Sequence, residues 1–361
     1  FSIAIADHLA GLADHLGPAY SFIGYFDDIH VIGPRPVALA VQQFLEGHGN
    51  PLQLNLDKTK SVSIANARRD GFNVLGSHIG PLTTTRAFAE GAIAAEQPLL
   101  DSLPLLSRQV GLLLLRTCVQ QNLAHLLRVL EPEGLEDIWC RRDSQLHDTL
   151  RCIRGSAVST LGTPLTINEA LDTELLSLPT KLGGLGILSH AERAPIAFAA
   201  ASDSAQAVLK SRLELGRPSP PVVSQHERHW PILEQRHRNL RQRLNADQRM
   251  ALHENASLLG RRWLSVVPLD YRLAVSDEAI TIGLFARAMA TPPPSNTDPT
   301  CAHCTQCPRM GHADTCEYNK SARFRTHEEI KWALAHMLRA VQGASVQVEP
   351  RIAGNMKRND V

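Results

Sequence analysis

The sequence has no long hydrophobic run and no marked excess of charge. Its leucine-rich apolar stretch, residues 111–115, stops at Arg116, whereas a membrane-spanning helix needs about 18 consecutive apolar residues. No secretory leader is visible at the start of the sequence. The formal net charge is only +1, so a surface that binds nucleic acid would have to be local. These absences argue against a membrane protein and against a uniformly basic one.

A phosphate-binding glycine loop is missing as well. Residues 178–187 read Leu-Pro-Thr-Lys-Leu-Gly-Gly-Leu-Gly-Ile, with neither Gly-Lys-Ser/Thr nor the Gly-x-Gly-x-x-Gly spacing of dinucleotide-binding loops. We therefore interpret these glycines as tight backbone turns with a structural role. The chain begins with Phe1 instead of Met and ends at Val361, which leads us to expect a fragment of a longer protein.

The seven cysteines are unevenly spaced along the chain. Cys118, Cys140 and Cys152 lie in helical patterns, where we expect buried thiols. The other four fall at positions 301, 304, 307 and 316. An odd total with such clustering argues against a secreted disulfide framework and favours a metal site in a reducing compartment.

Two strand-like runs flank a pair of adjacent acids near the start of the chain. Residues 21–33 read Ser-Phe-Ile-Gly-Tyr-Phe-Asp-Asp-Ile-His-Val-Ile-Gly, rich in the β-branched and aromatic residues that favour strands. This pattern predicts a short hairpin with Asp27 and Asp28 at its tip. Two carboxylates held there repel each other, and Mg²⁺, which prefers oxygen ligands, relieves that repulsion. The alternative interpretation is an ordinary polar turn between two strands.

This stretch resembles the Tyr-x-Asp-Asp hairpin in the palm of reverse transcriptases, and two further segments follow in the family's order. Residues 54–60, Leu-Asn-Leu-Asp-Lys-Thr-Lys, resemble the segment after the catalytic hairpin. Residues 74–80, Val-Leu-Gly-Ser-His-Ile-Gly, resemble the hairpin that grips the primer in the polymerases of non-LTR retrotransposons. Three ordered matches make the resemblance far more specific than any one of them.

The resemblance implies an RNA-directed DNA polymerase of the early-branching type, which carries a CCHC zinc knuckle and a restriction-like endonuclease. The site residues it assigns are the catalytic, Mg²⁺-binding Asp27 and Asp28 and the primer- or substrate-binding Tyr25, Phe26, Lys58 and Gly76. For Lys58 the alternative is a solvated loop lysine. The implied partners are an RNA template, a DNA primer or target DNA and deoxynucleoside triphosphates. The resemblance implies no membrane partner, and it implies that the parent element acts in the nucleus.

Phosphoryl transfer with two metal ions needs carboxylates from separate strands. Asp27 and Asp28 supply one strand only, so we expect the other catalytic strand to lie upstream of Phe1. It follows from this expectation that the fragment alone does not polymerise nucleotides.

The expected fold class is α+β, in five regions. They are the C-terminal part of a reverse transcriptase palm with antiparallel strands (1–82), a helical thumb and following helices (83–215), a basic helical linker (216–297), a CCHC zinc knuckle (298–320) and the truncated start of an α/β nuclease domain (321–361). Local patterns predict helices over residues 3–16, 36–47, 84–101, 107–130, 132–152 and 190–208, and strands over residues 52–56 and 62–64.

Two helical regions carry repeated basic residues, as a helical domain over a nucleic-acid duplex requires. In the predicted thumb they are Arg116, His125, Arg128, Arg141, Arg142, Arg151 and Arg154. Residues 225–262 carry eight arginines against four acids, a local charge of +4, and include Trp230, with Trp263 directly after them. This segment is the best predicted contact for RNA or DNA, with an ordinary charged helix surface as the alternative.

The clustered cysteines fit a zinc site. Cys301 and Cys304 are followed by His312 and Cys316, and three thiolates with one imidazole make a closed tetrahedral site that stabilises a segment with few apolar groups. Cys307 offers an alternative first pair with Cys304, and free thiols are the other alternative. The family resemblance favours Cys301 with Cys304. Members of that family usually have four residues between the histidine and the last cysteine, where this chain has three.

After the knuckle, the sequence resembles the opening of a restriction-like endonuclease domain. Arg325 and His327 lie in its Arg-His stretch, and Asp360 stands where the family has Pro-Asp, with Asn359 in place of the proline. These are candidate nuclease residues, of which Asp360 would bind metal. The alternative to an enzyme is a catalytically inactive, zinc-dependent nucleic-acid-binding relic of such an element, and a helical scaffold with an incidental knuckle is a weaker third hypothesis.

Overall fold

The computed structural model describes residues 2–25, 28–34, 37–47, 59–155, 166–212, 222–271, 273–290, 328 and 331–332. The described residues are mostly helical, and their strands form two separate antiparallel pairs. This agrees with the predicted α+β class at the level of helices and antiparallel strands. The chain divides into two compact units, Phe1–Thr85 and Arg86–Val361. None of the helices in the described ranges is long and apolar enough to cross a membrane.

The first unit combines helices with both hairpins. Its described elements are α1 (Ser2–Leu16), β1 (Ser21–Tyr25), β2 (Asp28–Ile32), α2 (Val37–Leu45), α3 (Ile64–Asp70), β3 (Phe72–Val74) and β4 (Ser77–Ile79), and α4 (Leu82–Ala95) begins there. The helices predicted over residues 3–16 and 36–47 are confirmed by α1 and α2, which pack together with the rings of His15 and Phe44 5.3 Å apart. The strand predicted over residues 52–56 lies outside the described residues.

The strand predicted over residues 62–64 is wrong, because Ile64 begins α3. The Ser63 side chain accepts a hydrogen bond from the Asn66 backbone amide at 3.2 Å and so caps the first turn of this helix. Gly71 follows the last residue of α3 with φ +70°, a conformation that favours glycine. A serine cap and a glycine stop therefore outweigh the β-propensity of two neighbouring aliphatic residues.

The second unit is helical throughout its described elements. They are the rest of α4, then α5 (Gln97–Ser102), α6 (Arg108–Thr117), α7 (Leu126–Val129), α8 (Glu136–Arg154), α9 (Glu169–Ser177), α10 (His190–Arg212), α11 (Gln225–Arg243), α12 (Ala246–Ala256), α13 (Leu258–Arg262) and α14 (Asp277–Arg287). The helices predicted near 132–152 and 190–208 are confirmed by α8 and α10. The helix predicted over 107–130 is interrupted after Thr117, which brings the Gln120 side chain to the carbonyl of Gly186 at 3.0 Å.

Clusters of buried aliphatic side chains form the core of the second unit. The largest joins α6, α8 and α14 through residues such as Leu115, Leu150 and Leu284, each fully buried. A second packs α4, α7 and α8 against α10 and includes Trp139 and Ala197. A third joins the end of α9 to α11 and α12. Burying one such leucine contributes about 1.5–3 kcal/mol.

The expectation of buried thiols at Cys118, Cys140 and Cys152 is wrong, since all three residues are exposed. In α8 the buried face runs through Trp139 and Leu146, whereas Cys140 and Cys152 fall outside that stripe. Helical spacing identifies an amphipathic helix but does not decide on which side a small, weakly polar residue lies.

Asp143 on α8 holds the beginning of α10. Its carboxylate accepts hydrogen bonds from the Ser189 hydroxyl at 2.5 Å and from the backbone amides of His190 at 2.6 Å and Ala191 at 3.2 Å. These amides are among those that a helix leaves without partners at its first turn. Burial alone would raise the pKa of Asp143, but the hydrogen bonds from His190 and Ser189 outweigh it and hold this pKa below its usual value.

Replacing Asp143 by asparagine should lower the free energy of unfolding at neutral pH and flatten its dependence on acid. A carboxyl whose pKa is lowered by folding contributes stability above its unfolded pKa of about 3.9, and this contribution is lost as the pH falls through the folded value. Urea unfolding between neutral pH and about pH 3 measures the difference. Asp148→Asn, which changes an exposed carboxylate on the same helix, is the control. Equal slopes against pH in wild type and Asp143→Asn would contradict the assignment.

Candidate functional site

The first hairpin pairs β1 with β2 in antiparallel register. Tyr25 lies opposite Asp28, so two residues, Phe26 and Asp27, connect the strands. The predicted hairpin is therefore confirmed, and Asp28 is the first residue of β2. Phe26 and Asp27 lie outside the described residues, as do the side chains of Tyr25 and Asp28. The binding of Mg²⁺ by the two carboxylates stays a prediction.

The second predicted hairpin is also confirmed, as β3 and β4. Val74 pairs with Ser77, and the two central residues both have positive φ, +48° for Leu75 and +73° for Gly76. This is the two-residue turn whose twist matches that of the flanking strands. Gly76 adopts it freely, whereas a leucine is strained there. Leu75 is about half exposed at the tip, and the predicted contact of Gly76 with the primer remains a prediction.

His78 fixes the base of this second hairpin, a role that the sequence patterns did not reveal. Its Nδ1 lies 2.8 Å from Oδ1 of Asn73, and its Nε2 lies 3.0 Å from the Thr84 hydroxyl in the first turn of α4. A Cβ added at Gly71 or Gly80 would come within 2.7 Å of the His78 ring. The two glycines are therefore needed where the imidazole packs against the backbone, and the ring ties the hairpin to the beginning of α4.

The remaining predicted site residues lie outside the described residues. They are Lys58, the zinc candidates Cys301, Cys304, Cys307, His312 and Cys316, and the nuclease candidates Arg325, His327 and Asp360. In the described ranges, no three His, Cys, Asp or Glu residues are arranged to hold a metal ion. That finding covers neither the connection of the first hairpin nor the cysteine cluster, so both metal predictions stand as made.

Two arginines predicted to contact phosphate are instead buried in the helical unit. Arg142 is fully buried, hydrogen bonded to Glu96 and to the Val119 carbonyl. Arg154 forms a two-pronged ion pair with Asp172, with nitrogen–oxygen distances of 2.8 and 2.9 Å. Each guanidinium is directed at an acid within the protein, so neither can reach an external phosphate. The carboxylates lie 46 and 18 residues away along the chain, beyond the reach of local patterns.

Most of the positive charge predicted for residues 225–262 is neutralised inside the protein. Three arginines of α11 pair with acids of α9 and α10: Arg228 with Asp203, Arg236 with Glu192 and Arg243 with Glu174. Five arginines then remain against the four acids of the segment, so its local charge falls from +4 to +1. The ion pairs attach α11 to the neighbouring helices, and this segment is a weaker candidate for nucleic-acid contact than its composition indicates.

Comparisons of the chain with protein-family models, with curated proteins and with solved structures found no match. The functional assignment therefore depends on the motifs and on the geometry of the chain itself.

The glycine loop, residues 183–188, is held by hydrogen bonds from side chains that converge on its backbone. Four successive carbonyls accept hydrogen bonds, those of Gly183 and Gly184 from Arg287, that of Leu185 from Arg116 and that of Gly186 from Gln120. A Cβ at Gly184 would lie 2.1 Å from the Leu178 carbonyl oxygen. The loop thus requires glycine for close backbone packing, as the structural interpretation expects. Sequence patterns did not identify Arg287 or Gln120 as hydrogen-bond donors to this loop. The one available signal was the position of Arg287 among the apolar residues that end α14.

Proposed function

We propose that this chain carries the C-terminal part of the palm and the helical thumb of a non-LTR retrotransposon reverse transcriptase. The observation that carries the proposal is the first hairpin, whose register leaves Phe26 and Asp27 between the strands and makes Asp28 the first residue of β2. The Tyr-x-Asp-Asp sequence thus falls across the connection of an antiparallel hairpin, and a second hairpin with a Leu-Gly turn follows it in the expected order.

The donor set at this connection fits Mg²⁺, because two carboxylates at adjacent positions of a short antiparallel hairpin supply oxygen ligands. Asp27 and Asp28 would hold the ions, which supply electrostatic stabilisation to nucleotide transfer. Tyr25 and Phe26 would abut the primer or the nucleotide, and Lys58 would neutralise phosphate charge. Gly76 would allow the second hairpin close approach to the primer. The residues mainly position the reactants and screen their charge.

The test is Mg²⁺-dependent extension of a DNA primer on an RNA template by the protein expressed from its complete reading frame, with the 361-residue chain assayed beside it. We expect template-dependent synthesis from the complete protein. Failure to incorporate deoxynucleotides under conditions where the protein is folded and binds the hybrid would contradict the polymerase assignment.

A second candidate function is nucleic-acid binding without synthesis. The first hairpin brings together carboxylates from adjacent positions, whereas catalysis with two metal ions needs carboxylates from separate strands. This favours binding alone for the 361-residue chain assayed by itself. Hybrid binding with no synthesis by the complete protein would support this candidate over the polymerase.

The zinc knuckle gives a separate prediction for residues 298–320. Cys301→Ser should abolish zinc binding, because it leaves three ligands, whereas Cys307→Ser should keep one zinc ion per chain. Zinc content of the purified variants measures both outcomes. Zinc retained in Cys301→Ser and lost in Cys307→Ser would move the site to the alternative cysteine pair.

The nuclease assignment of Arg325, His327 and Asp360, and the action of the parent element in the nucleus, are part of the same proposal.

A further inference from the structure

Arg116 and Arg287 differ from the buried arginines that pair with acids in the helical unit. Arg287 is 2% exposed and donates to backbone carbonyls alone, to Gly184 and Gly260 at 2.7 and 2.8 Å and to two others at 3.2 and 3.3 Å. Arg116 donates to the carbonyls of Leu185 at 2.7 Å and Leu264 at 2.5 Å. No ion pair within the described ranges involves either guanidinium. Buried charges are ordinarily paired with opposite charges, so this arrangement calls for an explanation.

The two guanidinium groups also act on each other. Burial, and then the neighbouring charge of Arg116, lower the pKa of Arg287 to about 10. Burial likewise lowers the pKa of Arg116. Neither guanidinium is paired with a carboxylate of the described residues. Two such like charges close together create a local positive potential that an external anion would relieve.

Two nitrogens of the Arg116 guanidinium are held by the protein, and the third is open. Its Nε and Nη1 are held by the two carbonyls, whereas Nη2 has no hydrogen-bond partner in the described part of the chain and is not sealed from solvent. Gly186 lies beside this nitrogen, and a Cβ there would be 3.7 Å from Nη2. An arginine whose Nε and Nη1 are already held loses little conformational freedom when its Nη2 binds an oxyanion.

We propose that the open Nη2 of Arg116, backed by Arg287 and left uncovered by Gly186, binds a phosphate group. A guanidinium nitrogen donates strong, charge-assisted hydrogen bonds to phosphate oxygens, and the group keeps its charge at any working pH. The phosphodiester backbone of a nucleic acid is the expected source. That identity depends on the proposed function, whereas the anion site itself depends on the geometry of Arg116 alone.

The first experiment uses inorganic phosphate and the full chain. Phosphate added at constant ionic strength in place of chloride should raise the melting temperature of the wild type by about 2–4 °C. Arg116→Gln should lose this increment, whatever its own melting temperature. Arg86→Gln, which removes an arginine already paired with Glu90 and Asp137, should keep it. No phosphate increment in the wild type, or an equal increment in Arg116→Gln, would overturn the site.

The second experiment identifies the source of the phosphate with a labelled RNA–DNA hybrid. Arg116→Gln should weaken hybrid binding about tenfold and reduce the slope of log affinity against log salt by about one, while Arg86→Gln leaves both nearly unchanged. Arg116→Lys keeps the charge and so separates charge from fork geometry if the glutamine variant does not fold. A phosphate increment without any effect on hybrid binding would overturn the nucleic-acid assignment. Neither binding result depends on primer extension. The phosphate site and the polymerase assignment can therefore be contradicted independently of each other.

Discussion

Replacing Asp27 by asparagine should lower Mg²⁺-dependent primer extension by about a thousandfold. The amide preserves the size of the side chain but removes the charge that, in the proposed site, would hold and orient the metal ions. Metal ions contribute several kcal/mol to stabilisation of the transition state, and each 1.36 kcal/mol corresponds to about tenfold in rate. Asp28→Asn should cause a smaller loss, because Asp28 begins β2 whereas Asp27 lies in the connection, so we do not expect the two carboxylates to contribute equally. Single-turnover nucleotide incorporation by the complete protein measures both effects.

Asp70→Asn is the matched control for this prediction. Asp70 ends α3 in the same unit, is exposed and pairs with Arg69 at 2.7 Å, so its replacement removes an acid far along the chain from the hairpin. It should retain nearly full activity, as exposed ion pairs contribute little. Equal activity in Asp27→Asn and wild type would remove the catalytic role, and an equal loss in Asp70→Asn would show that the effect is not specific.

The hairpins were predictable from the sequence because their information is local. Strand-favouring residues on both sides of Asp27, and Gly76 at a turn that needs positive φ, indicate antiparallel pairs without knowledge of the rest of the fold. Residues 62–64 show the limit of such patterns, since a cap at Ser63 converted an apparent strand into the beginning of a helix. The break after Thr117 was not predictable, because it depends on contacts with a loop far along the chain.

The arginines show why charge patterns alone do not identify the residues that can contact nucleic acid. Sequence spacing treats Arg116, Arg142 and Arg154 alike, yet two of them have acid partners brought in from distant segments and one has only carbonyls. Whether an arginine faces a carboxylate, a carbonyl or solvent is decided by tertiary packing. Net charge over a segment therefore overestimates the positive surface wherever acids of neighbouring helices are directed at it, as they are along α11.

Replacing Asp172 by alanine should destabilise the helical unit by about 3–5 kcal/mol. Asp172 and Arg154 are 1% and 5% exposed, and the truncation would leave a buried guanidinium without its counterion. The pair also anchors α14, because Thr281 donates to the Arg154 carbonyl at 3.1 Å and the Arg154 guanidinium lies 5.4 Å from the centre of the Phe285 ring. One substitution should therefore weaken the packing of α8, α9 and α14 together. Urea unfolding followed by circular dichroism measures the loss.

The double replacement of Arg154 by Met and Asp172 by Leu separates the two possible origins of that loss. If the cost comes from an unpaired buried charge, an apolar pair of similar volume should recover most of the stability, because it removes the desolvation of both ions. If the hydrogen bonds themselves supply the stability, the double variant should be no better than Asp172→Ala. Asp148→Ala tests an exposed ion pair on the same helix, where the change should stay within about 1 kcal/mol. A loss of that small size in Asp172→Ala would mean that the buried pair does not hold these helices together.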